Sequence, residues 1–265
     1  MRFASIAAWL CAPVVGLTVT ALAVNVPMFD EWTWAPLVLA MHDGQLRAAD
    51  LWAQQQAHRS VLPTALMLAL ARFDGWDVRI EAAVNLALAL ATQVLLWRLF
   101  ARVPQTRRGP AFLVASLLLF SLLQSENWLW GFQLSWFAVN LFVVAVVALL
   151  CAPAAGRAAF TAAAVAAIGA SLSLIFGFGA WVAGVVALVG RRRRLGVWIA
   201  IALALAGGFA IGYHPPRFEN GWAHRAPLLD VPQFVLAYLG APAGALGGRW
   251  VAEAAGLLLL IAWFR

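Results

Sequence analysis

Four clusters of polar and ionisable residues interrupt an otherwise apolar chain. The first is Pro27-Met28-Phe29-Asp30-Glu31-Trp32. Two adjacent carboxylates at the end of an apolar run suit general-base work, because a low local dielectric and a like-charged neighbour both raise a carboxyl pKa toward neutrality. Membrane insertion does not demand them, since a charge at the bilayer centre costs about 2.5–3.5 kcal/mol and less near the interface. The plainer alternative is a solvated helix-end loop with Trp32 and Trp34 as interface anchors. The second cluster is Gln54-Gln55-Gln56-Ala57-His58-Arg59. Here Arg59 is a cation that can clamp a phosphate and His58 a donor to it; the alternative is the polar start of an amphipathic helix. The third runs from Gln124 through Ser125, Glu126, Asn127, Trp128, Leu129, Trp130, Gly131 and Phe132 to Gln133. In one continuous helix, Glu126, Trp130 and Gln133 would share a face. Aromatic faces such as Trp128 and Trp130 stack on sugar rings, and Glu126, Asn127 and Gln133 can bond hydroxyls; an aromatic belt with a polar turn is the alternative. The fourth is the stretch from Tyr213 to Arg225, in which Arg217 is a further cation for a phosphate, or the whole is a plain connector.

These clusters need a scaffold, and composition says which kind. Apolar residues make up 64% of the 265 and charged residues 11%, against about 25% charged in soluble domains. The deficit extends along the whole chain, so most of it must face lipid or other apolar helices. All eighteen basic residues are Arg, which excludes a lysine Schiff base or nucleophile. They punctuate the apolar runs, so topology explains the net charge of +7 better than nucleic acid does. Cys11 and Cys151 form no CxxC or Cys/His spacing and read as small core residues. Phe176-Gly177-Phe178-Gly179 is a hairpin without the Lys of a phosphate loop, and Arg191–Arg194 reads as a topology anchor attracted to anionic lipid.

The fold expected is all-α: a polytopic transmembrane helical bundle of about nine spans, forming one membrane-embedded domain over 1–265. The first span covers 5–25, retained as a signal anchor, with cleavage after Ala21-Leu22-Ala23 as the alternative. The apolar run 61–71 is too short to cross. With that run on the surface, the positive-inside rule sends Arg107, Arg108 and Arg191–Arg194 to the cytoplasmic face. Residues 26–81 then become the first external loop, with surface-lying helices at 33–47 and 59–73. The spans that follow are 82–101, 110–124, 134–151, 158–175, 177–190, 195–212, 233–248 and 250–264. The chain stops after Leu257–Arg265 without a soluble tail, as a short protein or a piece of a longer one would.

Asp30-Glu31-Trp32 after the first span, and Glu126-Asn127-Trp128-Leu129-Trp130-Gly131-Phe132-Gln133 between two later ones, carry a resemblance over about residues 1–190. The chain resembles the polytopic GT-C glycosyltransferases, which use polyprenyl-phosphate sugar donors, and within them a group of uncharacterised bacterial members. Gln55, Gln56 and Ala57 stand where that group has His, Asn and Glu, while His58 and Arg59 keep its pattern. The resemblance implies a site on the periplasmic or extracellular side of a bacterial plasma membrane. Asp30, helped by Glu31, would act as base; His58, Arg59 and Arg217 would hold the donor phosphate; and Glu126, Asn127, Trp128, Trp130 and Gln133 would hold the sugar or acceptor. No cofactor is called for, a divalent metal being the one left open, and membrane lipids rather than nucleic acid are the surroundings. A transporter or flippase, or a non-catalytic membrane subunit, is the rival reading. Span interiors nearly free of charge weigh against ion-coupled transport.

Overall fold

A computed structural model describes residues 2–152, 155–214 and 230–263. Among these residues the regular structure is helical, with no strand beyond one isolated bridge between Gln55 and His58. The helices are α1 (Arg2–Leu22), α2 (Ala35–His42), α3 (Ala48–Trp52), α4 (Val61–Asp74), α5 (Val78–Phe100), α6 (Gln105–Leu119), α7 (Ser125–Leu129), α8 (Leu134–Leu150), α9 (Arg157–Ser171), α10 (Gly179–Leu188), α11 (Arg192–Ala210), α12 (Asp230–Leu239), α13 (Ala241–Gly247) and α14 (Arg249–Trp263). The chain divides into two compact units, Met1–Pro215 and Pro216–Arg265.

Among the described residues, five stretches are long and apolar enough to cross a bilayer: Phe3–Leu22, Val78–Phe100, Gln105–Leu129, Gly131–Leu150 and Arg192–Ala210. They match five of the expected spans. The expected spans 158–175 and 177–190 correspond to shorter apolar helices, Arg157–Ser171 and Ile175–Leu188. The expected span 233–248 is broken at Gly240 into α12 and α13, of 10 and 7 residues. In that second unit, a Cβ on Gly240 would lie 1.9 Å from the Ala252 carbonyl oxygen and one on Gly256 2.0 Å from that of Leu236, so glycine alone lets these backbones meet.

The run 61–71 does form a helix. α4 has 14 residues and ends at Gly75 in the left-handed conformation (φ 69°), the usual helix stop. At 1.5 Å per residue it is about 21 Å long, short of a hydrocarbon core of about 30 Å. It packs Met67, Leu68 and Ala71 against Trp34 and Val38. Near the first expected surface helix, a 3-10 turn (Phe29–Trp34) leads directly into α2, which ends at His42 instead of running to 47.

In the first unit, Ala12, Val15 and Val19 of α1 meet Ala82 and Ala89 of α5, Phe137 of α8, and Phe120 and Trp128. The Gln93 amide ties this bundle from inside, donating to the Ala8 carbonyl at 2.8 Å and the Ser116 hydroxyl at 3.0 Å. A second core joins α8 to α11. The alanines of α9 let helices approach closely, and the buried Trp198 indole donates to the Trp181 carbonyl at 2.9 Å.

The helix ends of this unit sort by charge. Trp9 of α1 packs on Trp97, late in α5, and on Phe112, midway along α6. Arg102 donates to the Cys151 carbonyl, Arg191 to that of Leu150 and Arg194 to that of Ala155. One end therefore gathers Arg98, Arg102, Arg107, Arg108, Arg157 and Arg191–Arg194. All eight acids of residues 1–215 belong to segments at the other end, where Asp50 pairs with Arg47 at 2.9 Å and Asp77 with Arg79 at 2.5 Å.

Candidate functional site

At the acidic end a cavity of about 280 Å³ is lined by Asp30, Thr33, Gln55, Gln56, His58, Ser60, Trp130, Phe132, Gln133, Ser135, Trp136 and Leu174. Four residues singled out from the sequence, Asp30, His58, Trp130 and Gln133, meet here from three separate segments. The Gln55–His58 bridge is a tight two-residue turn with both N–H···O bonds at 2.9 Å. It aims Gln55 and Gln56 into the cavity, where Gln55 donates to the Thr33 hydroxyl and Gln56 reaches Asp30 Oδ2 at 3.4 Å. Gln54 faces away and clasps the backbone of His214 through both ends of its amide.

Three non-glycine residues around this region adopt left-handed backbone: Phe29 (φ 46°), Gln56 (φ 52°) and Trp76 (φ 65°). Such strain costs of the order of 1–3 kcal/mol each and clusters at functional sites. Phe29 immediately precedes Asp30, so the strained bond helps set the direction of that carboxylate.

His58 is half-buried, and burial pushes its imidazole pKa below the ordinary value. Its Nδ1 accepts from the Ile175 N–H at 3.4 Å. The ring is thus neutral with its proton on Nε2, a hydrogen-bond donor rather than a cation.

Asp30 and Glu31, expected to act together, separate. In a 3-10 turn neighbours project about 120° apart. Asp30 borders the cavity, while Glu31 is 1% exposed and turns into the protein behind it. There its Oε2 accepts from the Met28 N–H at 2.8 Å. Its other oxygen lies 2.6 Å from where a Cβ on Gly131 would stand, and Oε2 of Glu81, also 1% exposed, lies 2.6 Å from the same point. The two carboxyls therefore face one another across the space of one missing methyl group. Among the described residues neither of these oxygens, nor Oδ1 of buried Asn85, accepts a hydrogen bond. Burial lifts the Glu31 carboxyl above the ordinary carboxylate range, against the pull of the Met28 N–H. Two carboxyls this close do not both ionise, so the pair retains a proton. No group of three or more His, Cys, Asp or Glu side chains suited to a metal occurs among the described residues.

The other expected residues lie elsewhere. Arg59 is buried between Trp52 and Phe209, its guanidinium 5.1 and 5.6 Å from their ring centroids. It donates to the carbonyls of Phe209, Trp52 and Ile211. It joins the first loop to the end of α11 and does not border the cavity. The 124–133 segment is not one helix: α7 ends at Leu129, Trp130 is extended, and a 3-10 turn Gly131–Gln133 follows. That break leaves Glu126 exposed outside the cavity and swings Trp130 and Gln133 into it. Asn127 donates to Gln124. Trp128 is core, stacked at 3° on Phe120 with its indole N–H on the Ser121 carbonyl. Trp34, expected as an interface anchor, is buried against Phe132, whereas Trp32 is exposed. Arg217 lies outside the described residues.

Sequence reasoning missed Glu81, Asn85, Thr33, Ser60, Ser135, Trp136 and Leu174. For the first two a signal existed: Glu81 and Asn85 are four residues apart in an apolar helix, hence on one face. The rest come from distant segments with no local pattern. Against protein families, curated proteins and solved structures, the chain matches none.

Proposed function

We propose that the chain is a multi-pass membrane glycosyltransferase of the GT-C kind, with its site on the outer face of a bacterial plasma membrane. In this arrangement the shorter apolar helices count toward about nine spans. The reading rests on one observation: a small cavity at the acidic end of the bundle, part aromatic and part polar, collects Asp30, His58, Trp130 and Gln133. Its volume, about 280 Å³, is at the low end for ligand pockets and suits one sugar ring rather than an oligosaccharide. The sugar stacks on Trp130 or Trp136 and bonds Gln133, Gln55 and Gln56. Asp30 takes the proton of an acceptor hydroxyl as its oxygen attacks the anomeric carbon. The bond from that carbon to the phosphate oxygen breaks, and the polyprenyl phosphate leaves with the electron pair. A single displacement inverts the anomeric centre. Neutral His58 donates to the leaving phosphate, and such donors in a dry site are worth several kcal/mol in the transition state.

The test is Asp30→Asn in the producing cell. Loss of a base is expected to slow transfer by about 10²–10⁴, so lipid-linked sugar accumulates and an envelope glycan shrinks. Unchanged glycans with normal insertion of the variant would refute the assignment. One observation favours the rival transporter reading: the Glu31–Glu81 pair is a proton-holding group at the mouth of α5, and buried ionisable groups also serve coupled transport. In that case Glu81→Gln abolishes solute uptake while Asp30→Asn leaves the glycans unchanged.

A further inference from the structure

The arginine end of the first unit has a concavity of its own. About 560 Å³ in volume, it is lined by Arg157, Phe160 and Thr161 of α9 and by Arg193, Arg194 and Val197 of α11. Both helices begin here, so their unpaired N–H groups and positive dipole ends add to the field of the three guanidinium groups. Between Glu126 and Glu219 the chain carries no carboxylate, and among the described residues no arginine of this group is in an ion pair. One of the three is held in place: Arg194 donates to the Ala155 carbonyl at 2.6 Å. The charges sit on the first turn of each helix. Phe160, Thr161 and Val197 follow one turn further in, on helices that continue as apolar segments.

We infer that this concavity holds the headgroup of one anionic glycerophospholipid, its phosphate between Arg157, Arg193 and Arg194 and its acyl chains running past Phe160 and Val197. Orientation by basic residues needs only charge on one side of the membrane. It does not need arginines from two helices converging on a shared hollow. A free phosphate would satisfy the guanidinium groups but leave the apolar floor unoccupied, so the lipid is the better occupant.

The experiment uses the full-length protein in detergent, with bound lipid counted by native mass spectrometry during titration. Dioleoylphosphatidylglycerol is expected to bind as one retained molecule, and dioleoylphosphatidylcholine is not. Arg157→Gln/Arg193→Gln removes two exposed charges that make no side-chain hydrogen bond among the described residues. At the worth of a basic residue near anionic lipid, phosphatidylglycerol binding should weaken about thirty-fold, and Arg193→Gln alone about five-fold. The control Arg98→Gln/Arg107→Gln removes the same charge from the same end and should leave binding unchanged. Equal weakening in test and control would show diffuse attraction and overturn the site. So would equal retention of both lipids. Displacement of phosphatidylglycerol by millimolar inorganic phosphate would overturn the lipid assignment in favour of a soluble phosphate.

Discussion

Raising the pH should destabilise this protein through the Glu31–Glu81 pair. Glu31 holds its proton more tightly in the folded protein, where burial raises its pKa, than in the unfolded chain. That contribution is complete below the ordinary carboxyl range and is lost as pH climbs from there to the raised value. One proton kept by the folded state and released by the unfolded one costs about 1.4 kcal/mol per pH unit. For a chain of this length that is a fall of roughly 3–6 °C in Tm per unit. His58 works in the opposite sense, since its lowered pKa makes stability rise with pH up to about 6.5. The informative quantity is therefore the difference between the wild type and Glu31→Gln/Glu81→Gln, which keeps His58 and the shape of the pair but has no carboxyl. Thermal unfolding in detergent between pH 5 and 8, followed by the fluorescence of the fourteen Trp, measures it. The wild-type curve should fall relative to the variant as pH rises. Parallel curves would show that the pair holds no proton, and the argument from burial would fail.

Further expectations concern single side chains. Gly131→Ala should cost about 1–3 kcal/mol by overpacking, because its Cβ would lie 2.6 Å from both carboxyl oxygens; a Tm equal to wild type at pH 5 would contradict that geometry. Gly184→Ala, whose Cβ would lie 2.2 Å from the Trp198 ring, should destabilise the second core by a similar amount, read by the same unfolding assay. Arg59→Ala leaves three carbonyls without their donor and should cost at least about 3 kcal/mol; Arg59→Lys should not restore it, because one ammonium cannot span three directions. A stable Arg59→Ala protein that lost only donor binding would instead return Arg59 to the phosphate.

The sequence by itself determined the membrane class, the helical content and the shortness of the 61–71 helix, and among its nine expected spans were the five helices long and apolar enough to cross a membrane. Each follows from local composition and run length, which no tertiary contact can reverse. It also placed Asp30, His58, Trp130 and Gln133 among the candidates, because polar residues in an apolar chain need a reason to be there. Only the tertiary structure decided which of their neighbours share the site. Asp30 and Glu31 are adjacent, yet a 3-10 turn sends one to the cavity and the other to Glu81, fifty residues away in the chain. Arg59 reads as a phosphate ligand until the nearby Trp52 carbonyl and two carbonyls of one distant segment, Phe209 and Ile211, claim it. Glu126 and Gln133 would share a face in one continuous helix, but the helix breaks at Trp130. Residue type states what a side chain can do, but its partner is chosen by the packing of remote segments, and no local pattern records that choice.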